Sequence, residues 1–200
     1  MIDVDLDGVS IPFAWSELFD RQAPTDVDIG SGKGKFLNEM ATAHPERNFL
    51  AVERAAKYHR LCCERAARRG LTNVRLVRTT AEDFLFRLVD ENSVARFFVL
   101  FPDPWPKKRH HKRRFFKAQT VEAVARALEP GGRLLVKSDH AAYAEVIGEV
   151  LANAHGLQAI DATEAFAELP LTGFEHKYRI EGREIFSFAL EKPKSSNSQF

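Results

Sequence analysis

Cysteine is nearly absent from this chain of 200 residues: the two present, Cys62 and Cys63, are neighbours. Adjacent cysteines cannot close an ordinary disulfide, and no second Cys/His group is spaced to complete a zinc site. Both are therefore expected as packing residues, and no metal is expected. Also missing is any apolar run near the ~20 residues that a bilayer crossing requires. Residues 1–8 are acidic and mixed, without the charged-then-apolar pattern of a secretory signal. No internal repeat is present. Membrane-spanning, disulfide-stapled and solenoid classes fall away, and the expected address is the cytoplasm.

What remains is an ordinary globular composition, 44% apolar and 28% charged, at a length that suits one domain. We expect that domain over residues 1–192, followed by a frayed polar tail over 193–200. Net charge is only +1, but it is unevenly spread. Lys107, Lys108, Arg109, Lys112, Arg113, Arg114 and Lys117 stand together with no acid among them. That segment carries +7, which leaves −6 for the rest of a chain whose total is +1. A mildly acidic body with one concentrated basic patch points to a localised polyanion contact.

Apolar periodicity alternates between strand and helix along the chain. Strands are expected at residues 26–29, 48–52, 74–77, 94–101, 133–137, 157–162 and 185–190. Helices are expected at 34–43, 55–69, 81–88, 115–128 and 141–154, with a Pro130-Gly131-Gly132 turn and an irregular stretch before the last strand. This order implies an α/β fold, a doubly wound and mostly parallel sheet with an antiparallel last strand. A ligand then belongs at the carboxyl ends of the strands. The 16 phenylalanines read mostly as core, and His59 and His155 as helix-surface residues.

Asp28-Ile29-Gly30-Ser31-Gly32-Lys33-Gly34 joins the first strand to the first helix. Its spacing is G-x-G-x-G; a dinucleotide fingerprint needs glycine where Lys35 stands. With the preceding acid it resembles the first motif of class I methyltransferases, in which the turn faces S-adenosylmethionine. Asp28, Gly30, Gly32 and Gly34 are thus candidate cofactor residues. Glu53, at the end of the second strand, has the position from which a carboxylate accepts hydrogen bonds from both ribose hydroxyls. Thr80 and Ala81, after the third strand, fall near the adenine.

The segment from Phe101 to Arg114 reads FPDPWPKKRHHKRR. Three prolines stiffen it and present Asp103 and Trp105 at set positions. An acid beside an aromatic suits a nucleobase: the carboxylate accepts from N1–H and N2–H₂ of guanine while the ring stacks. The cations that follow, Lys107, Lys108 and Arg109 first, suit phosphates, and His110 and His111 suit RNA or solvent rather than metal. On these residues alone three other classes stay open. They are a methyltransferase acting on an exocyclic adenine amine, a nicotinamide-dependent oxidoreductase, and a non-catalytic RNA-binding protein.

The same segment resembles, nearly letter for letter, the signature of the bacterial tRNA (guanine-N7-)-methyltransferases. The likeness continues through Asp28 to Gly34, Asn48 to Glu53, Ser138-Asp139-His140 and Thr172 to Lys177, in the family's order, over about residues 25–190. It implies S-adenosylmethionine as cofactor, held by Asp28, Glu53 and the neighbourhood of Thr80. It also implies Asp103 as the catalytic position, with Lys107 and Asp139 in the substrate site. Thr172, Gly173, Phe174 and Glu175 then close over the substrate, a guanine in the tRNA variable loop. A monomer or homodimer is expected. At Thr80 the family more often has Asp or Asn, and many relatives carry a longer arm before the first motif, so contacts made by such an arm are not expected here.

Overall fold

The computed structural model describes residues 2–194. Seven strands, β1 (Thr25–Ile29), β2 (Asn48–Val52), β3 (Val74–Val77), β4 (Val94–Leu100), β5 (Leu128–Ser138), β6 (Gln158–Ala159) and β7 (Phe186–Glu191), form one sheet. The spatial order is β3-β2-β1-β4-β5-β7-β6. The first five run parallel, and β7 is antiparallel to both β5 and β6.

Alternation along each strand divides the core between the two faces of the sheet. Leu50, Val52, Phe97, Val99, Leu134 and Val136 pack on one face, where α5 (Ala118–Ala127) and α6 (Ala141–Ala152) supply Val121, Val124, Tyr143 and Ile147. Phe49, Ala51, Phe98 and Leu135 point the other way, against Phe36, Leu37 and Met40 of α2 (Lys35–Ala43) and Cys62 and Ala66 of α3 (Ala56–Arg68). Strands β1, β2 and β3 are buried at every position, as parallel strands covered on both faces must be.

Several elements depart from the sequence expectations, each for a local reason. The helix expected over 115–128 starts only at Ala118, because Phe115 and Phe116 are buried outside it. Its far end stops at Ala127, since Leu128 already pairs with Val94 of β4. Pro130-Gly131-Gly132 is not a separate turn but an irregularity within β5, marked by a register shift opposite β4. The helix expected over 81–88 is one α-turn, α4 (Ala81–Asp83), followed by a π-helical turn over Phe84–Leu88.

The strand expected over 157–162 keeps only two residues, because the Asp161 carboxylate accepts from Glu164 N–H at 2.9 Å and caps α7 (Ala162–Phe166). The stretch expected to be irregular also holds α8 (Gly173–Ile180), capped by Thr172, whose hydroxyl accepts from Glu175 N–H at 2.8 Å. His59, expected on a helix surface, is buried at 5% exposure. Before β1, a short helix α1 (Trp15–Phe19) seats Phe19 in the core. The tail expected over 193–200 lies outside the described residues from 195 onward.

Candidate functional site

A cavity of about 520 Å³ opens at the carboxyl ends of the central strands, where the sheet order reverses beside β1 and β4. Its volume falls in the roughly 300–1,000 Å³ range of small-molecule sites.

The turn after β1 forms one wall. Gly30 and Gly32 line it with φ of 77° and 53°, values that a side chain would strain. A Cβ on Gly30 would project into open space, so the bare turn leaves that room to a ligand. Gly34 also has positive φ, 70°, yet serves packing: a Cβ there would stand 2.1 Å from Cys62 Sγ, where α2 meets α3. Glu53 is buried beside the turn. Its Oε2 accepts from Gly32 N–H at 2.9 Å and its Oε1 from Ala55 N–H at 2.7 Å, so backbone donors hold both oxygens at the rim. Asp28 lies deeper and is fully enclosed; burial first, and then the neighbouring Glu53 charge, push its pKa up to about 7. Thr80 and Ala81 reach the cavity beyond β3. The Thr80 hydroxyl accepts from Asp83 N–H at 3.1 Å, as the cap of α4, and keeps its own proton free to donate.

The opposite wall comes from the segment after β4. Phe101 and Trp105 both adopt left-handed backbone, with φ of 59° and 43°, on either side of Asp103. Such conformations cost on the order of 1–3 kcal/mol each and persist only where surroundings impose them. Here the surroundings are identifiable. Phe101 N–H donates to Lys137 O at 2.8 Å, and Arg114 Nε donates to Pro104 O at 2.8 Å. The Arg114 guanidinium is itself buried over the Tyr143 ring at 4.7 Å. Asp103 is exposed and Trp105 half-buried, and both line the cavity. The Arg113 guanidinium stacks over the Trp105 ring at 4.9 Å, and His110 meets its edge at 5.8 Å. The basic run coils into a 3-10 helix over Lys108–Arg113 that leaves Lys107, Lys108, Arg109 and Lys112 exposed.

A third wall comes from α8. Phe174, 53% exposed, lines the cavity, stacks on Tyr178 at 5.9 Å and faces Phe101 at 6.5 Å. Thr172 and Glu175 sit behind it. The Glu175 carboxylate is buried and accepts from Lys137 Nζ and from the Arg179 guanidinium, each at 2.7 Å. Asp139, just beyond β5, accepts from Arg183 at 2.8 Å, and Arg183 in turn lies over the Tyr178 ring at 4.4 Å.

One cavity therefore gathers Gly30, Gly32, Glu53, Thr80, Ala81, Asp103, Trp105 and Phe174. Asp28 and Gly34 lie beneath the turn, while Lys107, Lys108 and Arg109 stand outside on the exposed basic face. Asp139, Thr172, Gly173 and Glu175 support the α8 wall or flank it. Sequence reasoning did not single out Phe101, Arg113, Arg114 or Tyr178. Arg113 was in view as one cation among seven, but its pairing with Trp105 depends on the 3-10 coil.

Sheet order, antiparallel β7 and the glycine turn facing the acid that follows β2 give the chain the fold of the class I methyltransferases. The fold is shared with solved structures of the 16S rRNA methyltransferase KamB, at TM-score 0.65 and 18% identity over 90% of this chain and 92% of that one. An S-adenosylmethionine-dependent methyltransferase from Aquifex aeolicus matches at TM-score 0.60 and 14% identity, over 88% and 86% of the two chains. The family described as "Putative methyltransferase" matches residues 22–188. A tRNA (guanine-N(7)-)-methyltransferase of Pseudomonas putida (strain W619) is 36% identical over 90% of this chain and 77% of its own length. That of Alkalilimnicola ehrlichii is 38% identical over 90% and 78%. The chain belongs to the tRNA (guanine-N(7)-)-methyltransferase family.

Proposed function

We propose that this protein, acting through one domain over residues 1–192 in the cytoplasm, methylates N7 of a guanine in tRNA, at a position in the variable loop. The observation that carries this reading is the shared cavity: the cofactor-side groups Gly30, Gly32 and Glu53 face the nucleobase-side groups Asp103 and Trp105 across one space. The names of the curated relatives support guanine N7 over an exocyclic adenine amine.

S-adenosylmethionine, when bound, supplies an electrophilic sulfonium methyl. Glu53 is suited to take its ribose hydroxyls on lone pairs that the backbone donors leave free. Asp28 answers the positive charge of its amino-acid end, directly or through water, and Gly34 acts by holding the turn against α3. Thr80 and Ala81 bound the adenine, and the Thr80 hydroxyl, which accepts from Asp83 N–H as a cap, keeps its own proton to donate.

Guanine N7 bears an in-plane lone pair and no proton, so no general base is needed. Positioning is then the main task, and well-oriented reactants can lower a barrier by on the order of 7–11 kcal/mol. Asp103 anchors the base through N1–H and N2–H₂ and stabilises the positive charge that spreads over the ring. Trp105, kept in place by Arg113, and Phe174 present aromatic faces to it. Lys107, Lys108 and Arg109 bind phosphates on either side of the target. Asp139 contributes once Arg183 turns towards the RNA, and Thr172, Gly173 and Glu175 set the start of α8 so that Phe174 meets the substrate.

Incubation with unmodified tRNA transcript and methyl-labelled S-adenosylmethionine, followed by digestion and mass identification of the labelled nucleoside, tests the proposal. Label in 7-methylguanosine from one variable-loop position is expected. Label in any other nucleoside refutes the guanine assignment.

A further inference from the structure

Away from the cavity, α3 presents His59 and Cys63 one turn apart, on a common face. Over that face runs the amino-terminal segment, which lies along β3, an edge of the sheet. Leu76 N–H donates to Ile2 O at 2.7 Å and Val4 N–H donates to Leu76 O at 2.8 Å, so two backbone bonds bracket Asp3. Its carboxylate is delivered onto the helix. Asp3 Oδ1 stands 3.2 Å from His59 Nε2, and Cys63 Sγ stands 4.0 Å from that same nitrogen. All three atoms lie within 4.8 Å of one another.

Hydrogen bonding accounts for this arrangement poorly. Nε2–H can donate to Asp3, but Cys63, 4.0 Å away and carrying its own weak S–H donor, then gains no bond from that nitrogen. A nucleophilic Cys-His-Asp relay is excluded by the same geometry, because it needs the two partners on opposite ring nitrogens. Convergence of one nitrogen, one oxygen and one sulfur on a common point is instead the arrangement of a metal ligand set. At zinc bond lengths of ~2.0–2.3 Å, tetrahedral donors stand about 3.3–3.5 Å apart. The 3.2 Å separation already meets that, and the 4.0 Å one needs only a small turn of Cys63.

We propose that Asp3, His59 and Cys63 form a binding site for a divalent ion of the zinc type, with the fourth position open to water. Asp3 is 63% exposed at its side chain, which gives the ion a path in, while His59 is set within the core edge. The ion acts as a clip. It fastens the amino-terminal segment over the open edge of β3 and ties it to α3, whose first turn carries the cavity residue Tyr58. Cys62 has no part in it, since its sulfur is packed against Gly34. Both cysteines pack against the core as expected, Cys62 fully buried and Cys63 at its edge, and the proposal gives Cys63 a second role. Sequence spacing hid the site because its third ligand comes from 56 positions before His59.

The test uses the full chain without an affinity tag, titrated with Co²⁺ as a spectroscopic probe and with Zn²⁺ in competition. One equivalent of Co²⁺ is expected to bind with a thiolate charge-transfer band in the near ultraviolet, and Zn²⁺ to displace it. Cys63→Ser abolishes the band, and Asp3→Asn weakens binding at least tenfold; Asp3 is largely exposed, and circular dichroism checks that Cys63→Ser, at the core edge, keeps the fold. Zn²⁺ is expected to raise the melting temperature of the parent and not of Asp3→Asn. Absence of one-to-one binding in the parent, or a band undiminished in Cys63→Ser, overturns the proposal.

Discussion

Lys137 Nζ donates to Glu175 Oε1 at 2.7 Å across the interior, joining the end of β5 to the first turn of α8. Glu175 is 1% exposed and its other partner, Arg179, is largely in solvent, so Lys137 supplies the charge that keeps this carboxylate paired within the protein. Loss of one member of a buried pair strands the other and costs about 3–5 kcal/mol. Arg179 still reaches Glu175 in Lys137→Met, so the destabilisation in urea titration is expected to be no more than about 3 kcal/mol, the lower end of that range. Glu175→Leu on the same background should restore a large part of it; strictly additive losses would mean the two groups act independently.

In the role proposed for Asp28, cofactor binding depends on pH. Its pKa in the free protein is about 7, raised from 3.8 by burial and then by Glu53. A raised carboxyl means that the folded chain holds a proton which the unfolded chain has released. The group's contribution to stability is thus fully present below pH 3.8 and is lost progressively as pH rises through about 7. A cationic ligand has the opposite preference, for the carboxylate, and so expels the proton. Cofactor affinity is expected to rise roughly tenfold per pH unit below that pKa and to level off above it. Calorimetry between acidic and neutral pH should show proton release, and Asp28→Asn should flatten the profile; a flat profile in the parent would contradict the assignment.

Arg114 carries its charge into a buried position to hold Pro104 O, and with it the turn that presents Asp103 and Trp105. Displacement of a reacting group by about 1 Å costs on the order of 100-fold in rate. Arg114→Ala is expected to lower the methyl-transfer rate by about that factor while leaving cofactor affinity nearly unchanged. Arg114→Lys, which keeps the charge but not the Nε geometry, should fall between. An equal loss of cofactor binding would show that the residue acts on the fold rather than on this turn.

Much of this arrangement was legible in the sequence. β2 and β3 occupy the expected residues because each is short, mainly apolar and flanked by polar residues, Arg47 and Glu53 for β2 and Asn73 and Arg78 for β3. The sequence could place Glu53, Asp103 and Trp105 at one edge because Glu53 directly follows β2, the other two lie within five residues of the end of β4, and strand ends converge in this topology. Three helices were missed, α1, α7 and α8, and the last two announced themselves only faintly. Asp161 with Glu164 and Thr172 with Glu175 have capping-box spacing, but the helices that follow are short and weakly apolar. The Phe101, Phe174 and Tyr178 cluster joins residues more than 70 positions apart, which spacing cannot reveal. Asp139 was named by resemblance, but its partner Arg183 arrives from beyond α8 and appears only in three dimensions.

The exposed 3-10 helix should set the salt dependence of RNA binding. Each cation that neutralises a phosphate adds about 0.7–0.9 to the magnitude of the slope of log K against log salt. Lys107→Ala and Arg109→Ala are each expected to reduce the slope for tRNA by about one without changing which nucleoside is methylated. Measurement of tRNA affinity over a series of KCl concentrations checks this. Slopes that match the parent's would remove the basic segment from the interface.

The central claim is that Asp103 anchors the acceptor base in the same cavity that receives the methyl donor. Single-turnover methyl transfer to tRNA by Asp103→Asn, with cofactor affinity measured on the same preparation, tests it most directly. The account predicts a rate reduced on the order of 100-fold or more and cofactor affinity within about twofold of the parent. Full turnover by Asp103→Asn would contradict it.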